Sequence, residues 1–221
     1  MTFTLVVLAI IMATVIGWLL RQTLNTQPWN PHDPVENQPG RGVINADPAK
    51  VGLLSFIAVV TSLFALFLSA YMMRMQLGDW RPLAEPKLLW LNTAVLVLAS
   101  VAFQFTRGAA KRGQRSTVKV GLVVGGVCTI LFLFGQLMAW RQLQAGGFLM
   151  TGNPANAFFY LLTALHGLHL LGGMWVWGRT TLRILTGADA HSVRLSVELC
   201  TVYWHYLLLV WIGLFALLLS T

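Results

Sequence analysis

The chain has 221 residues, of which 57% are hydrophobic and only 10% are charged, so it does not have the composition of an ordinary soluble domain. Its long apolar segments also leave no room for one. The formal net charge of +8 is not accompanied by an aromatic or fold signature of nucleic-acid binding, and we expect no nucleic-acid partner.

Six segments are apolar and long enough to cross a membrane, which takes about 20 residues for a hydrocarbon core about 30 Å thick. They lie at about residues 3–20, 51–73, 88–106, 120–140, 155–178 and 195–220. The chain is therefore predicted to be an all-α integral membrane protein, a polytopic helical bundle with about six transmembrane helices.

The first segment, residues 3–20, is interpreted as a retained helix rather than a secretory signal peptide. It has no positively charged n-region, its apolar run is longer than a usual h-region, and no A-x-A cleavage site follows it. The polar, proline-rich connection over residues 21–50 is predicted to be an irregular cytoplasmic loop. We therefore divide the chain into residues 1–50, an N-terminal helix with a long loop, and residues 51–221, a five-helix membrane domain.

Lysine and arginine residues are distributed unevenly among the loops. The loops at 21–50, 107–119 and 179–194 hold eleven of them, and the loops at 74–87 and 141–153 hold four. Because cytoplasmic loops carry the excess of positive charge, the first set is predicted to lie in the cytoplasm. Both termini are then predicted to lie on the outer side of the membrane.

One face of the fourth apolar segment is lined mainly by small residues. Gly121, Gly125 and Gly135 fall on this face together with Cys128 and Phe132. Small side chains let helix backbones approach closely in lipid. This face is therefore predicted to pack against another helix.

Two connections between the segments carry signals of their own. The stretch GDWRPLAEPK, residues 78–87, has two prolines and Trp80, which suits an interfacial turn with an exposed aromatic anchor. The fifth segment begins after Asn153 and Pro154, a favourable N-cap followed by a proline at the first helical position.

The fifth apolar segment carries two histidines. His166 shares one helix face with Thr163, Leu170 and Gly173, and His169 lies about 60° away on the same side. On the last segment Glu198 and His205 are seven residues apart and therefore in line. Two helices are thus predicted to present an imidazole each, and one of them adds a carboxylate.

Polar groups inside a span are costly and are functional hypotheses by default. Histidines on facing helices, such as His166 and His205, could hold haem or another metal, although their spacing matches no metal motif. Glu198 and the histidines could also carry protons, although no second buried acid continues such a path. The structural interpretation, which we favour for His166 and His169, is hydrogen bonding between helices or to lipid head groups.

Five stretches of the chain form a pattern in a fixed order. They are WRP (80–82), LLWLNTAVLVLAS (88–100), FGQLMAW (134–140), FFYLLTALHGLHLLGG (158–173) and Glu198 followed by YWHYLLLVW (203–211). In this order they resemble subunit III of the haem–copper oxidases, the third subunit of cytochrome c and quinol oxidases. The resemblance covers about three quarters of the chain, and its last two stretches are specific when found together.

The resemblance implies a non-catalytic accessory subunit of a terminal respiratory oxidase in a bacterial inner membrane. Subunits of this family pack beside catalytic subunit I, with subunit II in the same complex, hold phospholipid between helix groups, and support proton uptake during oxygen reduction. No cofactor is expected in this chain, because haem and copper belong to the catalytic partners. The residues that the resemblance marks as structural or lipid-facing are Trp80, His166, His169, Glu198, Tyr203, Trp204, His205 and Trp211.

The chain departs from the family pattern at three acidic positions. The segment 51–73 contains no acid, the glutamate expected three residues after Gln136 is Ala139, and the aspartate expected near the end is Leu208. Proton-related roles at these positions are therefore not carried over. Similar subunits also accompany nitric oxide reductases, and the sequence does not separate the two kinds of complex.

Two other classes of protein are alternatives to this interpretation. A haem-binding, cytochrome b-like subunit would use His166 and His205 as ligands, and the isolated chain would show a Soret band. A transporter or channel would show an internal repeat, or spans broken near the membrane midplane. The sequence has no such repeat, and its prolines lie in loops or at the ends of spans.

Overall fold

The computed structural model describes residues 48–81 and 87–219, and the regular elements in these ranges are α-helices. They are α1 (Pro48–Met75), α2 (Leu88–Lys111), α3 (Arg115–Ala145), α4 (Pro154–Leu185) and α5 (Ala190–Leu219). All five are long and apolar enough to cross a membrane. The prediction of an all-α protein with several spans is confirmed for this part of the chain. The predicted span 3–20 and the predicted loop 21–50 as far as residue 47 lie outside the described residues, and residues 48–50 of that loop belong to α1 instead.

The helices extend beyond the apolar segments that predict them. Helix α2 continues five residues past its predicted end to Lys111, and α4 continues seven residues to Leu185. The predicted loops 107–119 and 179–194 are therefore wrong in extent, since most of their residues are helical. The physical reason is that the hydrocarbon core sets the apolar length only, while backbone hydrogen bonds prolong the helix into the polar interface.

The turns between these long helices are short and use glycine where the backbone requires it. Gly113 follows α2 with φ of 71°, and Gly187 follows α4 with φ of 114°, a region of backbone space that costs other residues energy. At the start of α4 the side chain of Asn153 accepts a hydrogen bond from the Ala155 N–H, with Pro154 in the first turn. The predicted N-cap is thus confirmed.

The chain divides into two compact units between Ser69 and Ala70. In the first unit the described part is α1 as far as Ser69, where Val60 and Phe64 are buried and most other side chains are half-buried or exposed. The second unit holds the last turns of α1 and all of α2 to α5. The division predicted at residues 50 and 51 is a different boundary, and it stays a prediction.

Helices α2 to α5 form what we call the four-helix body. Helix α2 packs against α3 and α5, and α4 packs against the same two helices. The interior is made of large apolar and aromatic side chains with at most 1% of their surface exposed, and these include Leu96, Phe103, Phe132, Leu170, Trp204 and Trp211.

The small-residue face of α3 packs against α2, as predicted. A methyl group added at Gly125 would lie 2.8 Å from the Phe103 ring, and one at Gly135 would overlap the Asn92 carboxamide. A methyl group added at Gly121 would likewise overlap a side chain of α2. These glycines therefore permit a close approach of two backbones, which is how helices associate in lipid.

A neighbouring glycine of α3 serves a different helix. Gly126 lies against the Trp177 ring of α4, where an added methyl group would overlap the indole. The Trp177 Nε1–H in turn donates to the Leu122 carbonyl of α3 at 2.9 Å. Helix α3 is therefore in close contact with α2 on one side and with α4 on the other.

This packing predicts that Gly126→Ala lowers the stability of the chain, because the new methyl group has to displace the Trp177 indole. Overpacking of this kind costs about 1–3 kcal/mol, and thermal unfolding in mild detergent would measure it. Gly172→Ala is the matched control, since nothing lies within 4 Å of its added methyl group. Equal melting temperatures for the two variants would contradict the proposed contact.

Candidate functional site

A line of polar contacts joins α2 to α5 along the length of both helices, and we call it the polar seam. Helix α5 provides an indole, an imidazole, a hydroxyl and a carboxylate, and α2 provides the partners for all of them. The pairs are Trp211 with Thr93, His205 with Ser100 and Gln104, Thr201 with the Phe103 carbonyl, and Glu198 with Arg107.

The ion pair of the polar seam joins Glu198 to Arg107. The Arg107 Nη2–H donates to Glu198 Oε1 at 2.7 Å, and 30% and 22% of the two side chains are exposed. The sequence predicts Arg107 in the loop 107–119, but this residue belongs to α2 and neutralises the carboxylate. The signal that could have found it is the lone carboxylate itself, because a charge inside a span needs a partner on a neighbouring helix.

His205 lies near the middle of α5 and is exposed on the outside of the four-helix body. Its Nδ1 hydrogen-bonds with the Ser100 hydroxyl, and its Nε2 lies 3.1 Å from Gln104 Oε1. A neutral imidazole with the proton on Nε2 satisfies both contacts, because Gln104 Oε1 accepts and the Ser100 hydroxyl can donate. Both ring nitrogens of His205 are therefore engaged by α2.

Three aromatic residues of the predicted site lie inside the four-helix body. The Trp204 indole N–H donates to the Thr129 hydroxyl of α3 at 2.9 Å. The Tyr203 hydroxyl donates to the carbonyl of His169 at 3.1 Å, so this side chain joins α5 to α4. Together with Trp211, these residues bond α5 to each of the other three helices.

The two histidines of α4 have different surroundings. His166 is fully buried, with its ring centroid 5.8 Å from that of Phe132 and 5.2 Å from that of Trp211. Among the described residues neither ring nitrogen of His166 has a hydrogen-bond partner, so the expected bond to a neighbouring helix is not observed. His169 is half-buried, and its Nδ1–H donates to the Leu165 carbonyl of its own helix at 2.7 Å.

The arrangement of the histidines does not fit a haem held between two helices. His166 lies in the interior against aromatic rings, whereas His205 is on the outside with both nitrogens bonded. Within residues 48–81 and 87–219 no group of three or more His, Cys, Asp or Glu side chains comes together to hold a metal ion. Cys128 and Cys200 are separate free thiols.

Trp80 lies in a packed corner at the end of α1. Its ring centroid is 4.8 Å from that of Tyr71 and 6.4 Å from that of Phe158, so it is half-buried and the predicted exposure of this anchor is wrong. The reason is that the turn after α1 folds back on Tyr71 of the same helix and on Phe158 of α4, which is distant in sequence.

The backbone beside Trp80 is fixed by two polar contacts. The carboxylate of Asp79 pairs with the Arg74 guanidinium. The Asn153 side chain donates to the Arg81 carbonyl at 2.5 Å and accepts from the Arg81 N–H at 3.4 Å. The residue that caps α4 therefore also fastens the turn after α1.

Comparisons with known proteins agree with this architecture of long apolar helices. The family described as cytochrome c oxidase subunit III matches residues 41–220. A probable cytochrome c oxidase subunit 3 of Mycobacterium leprae is 31% identical over 176 residues, which is 76% of this chain and 83% of the relative. The probable subunit 3 of Mycobacterium tuberculosis strain H37Rv is 33% identical over 179 residues, with the same two shares, 76% and 83%.

A more distant match, the cytochrome c oxidase subunit 3 of Synechocystis, is 27% identical over 172 residues, which is 75% of this chain and 72% of the relative. The helices and the matches together define the class of a multi-pass membrane protein of the respiratory chain. The chain belongs to the cytochrome c oxidase subunit III family. Members of this family associate with the other subunits of an oxidase complex and are generally without metal centres of their own.

The Trp204–Thr129 bond predicts a measurable coupling between the two side chains. In a double-mutant cycle of Trp204→Phe and Thr129→Val, we expect a coupling energy of about 0.6 kcal/mol and at most about 1.7 kcal/mol, as for other bonds between helices in membranes. Unfolding in mixed micelles would measure it. The control cycle combines Trp204→Phe with Thr163→Val, because Thr163 accepts from Trp140 instead. Equal coupling energies in the two cycles would contradict the bond between Trp204 and Thr129.

The Arg74 guanidinium, through its hydrogen bond, holds the pKa of Asp79 below its ordinary value. A carboxylate with a lowered pKa contributes stability above its unfolded pKa of about 3.9, and this stability is lost as the pH falls through the folded pKa. NMR titration of the full chain in micelles should therefore find a pKa for Asp79 below the usual range. The Arg74→Gln substitution should raise this pKa back toward its ordinary value. A pKa that is the same in both proteins would show that the pair does not form.

Proposed function

We propose that this chain is the non-catalytic subunit III of a terminal respiratory haem–copper oxidase in a bacterial inner membrane. In this role it stabilises catalytic subunit I, binds phospholipid and supports proton uptake during oxygen reduction. Its partners are then subunit I, with subunit II in the same complex, and both of its termini lie on the outer side of the membrane. The proposal starts from membership of the subunit III family and is extended by the polar seam.

The outward edge of the polar seam is the observation that carries the proposal. His205 and Gln104 are both exposed on the four-helix body, and His205 is near the middle of a helix long enough to span the membrane. Polar side chains of this kind are costly against lipid tails and almost always face protein or water. We propose that a transmembrane helix of the catalytic subunit covers this edge.

The other site residues divide into two roles under this proposal. Tyr203, Trp204 and Trp211 hold α5 to its neighbours through hydrogen bonds, so their role is structural. We infer that Trp80, beside Tyr71, and Glu198, half-buried beside Arg107, serve the lipid role, because aromatic and charged side chains are the groups that contact phospholipid head groups. His166 is buried in the four-helix body, and His169 is half-buried and bonded to its own helix.

The rival functions make different demands on the same residues. A cytochrome b-like subunit needs two free imidazoles facing one haem, and His205 has both nitrogens bonded to α2. A subunit III-like partner of a nitric oxide reductase would use the same surfaces as an oxidase subunit. The identity of the catalytic partner therefore has to be measured.

The experiment is a mild-detergent pull-down of the tagged full chain from its native membrane, with visible spectroscopy and mass spectrometry of everything that co-purifies. Recovery of a haem–copper oxidase core, with a colourless chain after separation, supports the proposal, and phospholipids retained on the chain support its lipid role. Recovery of a nitric oxide reductase core instead would contradict the proposed oxidase and identify the chain as a subunit of that reductase. A chain that purifies alone with stoichiometric haem overturns the accessory role.

The role of the outward edge predicts a specific loss in this assay. His205→Leu should reduce recovery of the catalytic core at least about tenfold, which corresponds to about 1.4 kcal/mol of binding free energy. His191→Leu is the matched control, because His191 is an exposed histidine in the first turn of the same helix. Undiminished recovery with His205→Leu, at equal amounts of folded chain, would contradict the proposed contact surface.

A further inference from the structure

A group of three buried polar side chains in the four-helix body lacks a hydrogen-bond partner for some or all of its polar atoms. They come from three different helices: Asn92 from α2, Gln136 from α3 and His166 from α4. Their exposed fractions are 3%, 5% and 0%. The atoms of these three side chains that have no partner in the described part of the chain are Nδ2 of Asn92, both amide atoms of Gln136 and both ring nitrogens of His166. Two further buried atoms of α4, Asn156 Oδ1 and Thr181 Oγ1, also lack a partner there.

The Phe132 ring relates two of these side chains to each other. Phe132 and Gln136 are four residues apart and both buried, so they lie one above the other on the same face of α3. The Phe132 and His166 rings are nearly perpendicular, with an interplanar angle of 79° and ring centroids 5.8 Å apart. Gln136 and His166 therefore lie at neighbouring levels on facing helices.

Asn92 approaches the same place from α2. A methyl group added at Gly135, the residue next to Gln136, would overlap the Asn92 carboxamide. The next residue of α2, Thr93, accepts a hydrogen bond from Trp211, and the Trp211 ring centroid is 5.2 Å from that of His166. The three polar side chains thus surround one small region inside the four-helix body.

A buried polar group without a hydrogen-bond partner destabilises a folded protein, and more so in a low-dielectric interior. Five such atoms in one region would be exceptional, because buried polar groups in folded proteins almost always have a partner. The three side chains also contain both hydrogen-bond donors and hydrogen-bond acceptors, which a bridging water molecule needs. Asn92 and Gln136 supply amide donors, the Gln136 carbonyl supplies an acceptor, and a neutral His166 supplies one of each.

We propose that this region is an internal water-binding site, in which ordered water bridges His166, Gln136 and Asn92 across three helices. One water molecule makes at most four hydrogen bonds, and five atoms need partners, so the site holds more than one water molecule or one water beside a direct bond between two of the side chains. The site gives His166 a role that neither helix bonding nor metal binding supplies. The inference does not depend on the identity of the catalytic partner.

The experiment measures magnetisation transfer from water protons to the imidazole nitrogens of the full chain, labelled with ¹⁵N-histidine and reconstituted in lipid bilayers. His166→Phe assigns the His166 signal by its loss. We expect both nitrogens of His166 to receive magnetisation from water although the residue is fully buried. In Gln136→Leu and Asn92→Leu this transfer should be lost or strongly reduced, because each variant removes partners of the bound water.

Gln104→Leu is the matched control, since this glutamine contacts His205 rather than His166. It should change the His205 signal and leave the His166 transfer intact. A His166 signal that receives nothing from water and couples directly to the Gln136 amide would overturn the proposal, because a dry bond between the side chains would then satisfy them. Transfer that persists unchanged in both leucine variants would also overturn it.

A second measurement keeps the proposal testable if the His166→Phe variant does not fold. A structure of the wild-type chain in its native complex, at a resolution that shows ordered water, should contain density within hydrogen-bonding distance, about 3 Å, of a His166 nitrogen and of Gln136 or Asn92. Direct contact between these side chains, with no density between them, would contradict the proposed site.

Discussion

Close approach of helix α3 to its neighbours is the constraint on which the rest of the four-helix body depends. Lipid tails are as apolar as leucine, so burial alone does not drive helices together, and packing has to come from short backbone distances and interhelical hydrogen bonds. Gly125 and Gly126 provide those distances on two sides, toward Phe103 of α2 and Trp177 of α4. Because α2 and α4 are positioned by α3, the groove that receives α5 between them is positioned as well.

Tryptophan side chains supply much of the hydrogen bonding that follows from this packing. An indole ring fills a large volume and carries a single N–H donor, so one well-placed acceptor satisfies it completely. In the four-helix body four indoles find such an acceptor on a neighbouring helix. The pairs are Trp140 with Thr163, Trp177 with the Leu122 carbonyl, Trp204 with Thr129, and Trp211 with Thr93. Threonine accepts in three of them, which explains why hydroxyl residues recur on the inner faces of apolar helices.

The sequence could predict the helices and their inner faces, because both follow from local rules. Apolar length identified the five described spans, and the period of the helix placed Gly125 and His166 on buried faces. The pairing of Arg107 and the burial of Trp80 could not be predicted, since each depends on which helices become neighbours. The positions of the two histidines depend on the same choice of neighbours. The sequence predicts that His205 and His166 both lie in the protein interior, but His205 lies on the outside of the four-helix body and only His166 lies inside it.

The distribution of acids limits how the proposed support for proton uptake can work. Glu198 is the one acidic residue in helices α1 to α5 as described, and it is neutralised by Arg107. The family acids replaced by Ala139 and Leu208 offer no second carrier on α3 or α5. A relay of carboxylates through these helices is therefore not available. Support for proton uptake would then have to act through the packing of the chain against its partner and through the lipids held between them, which is a structural effect.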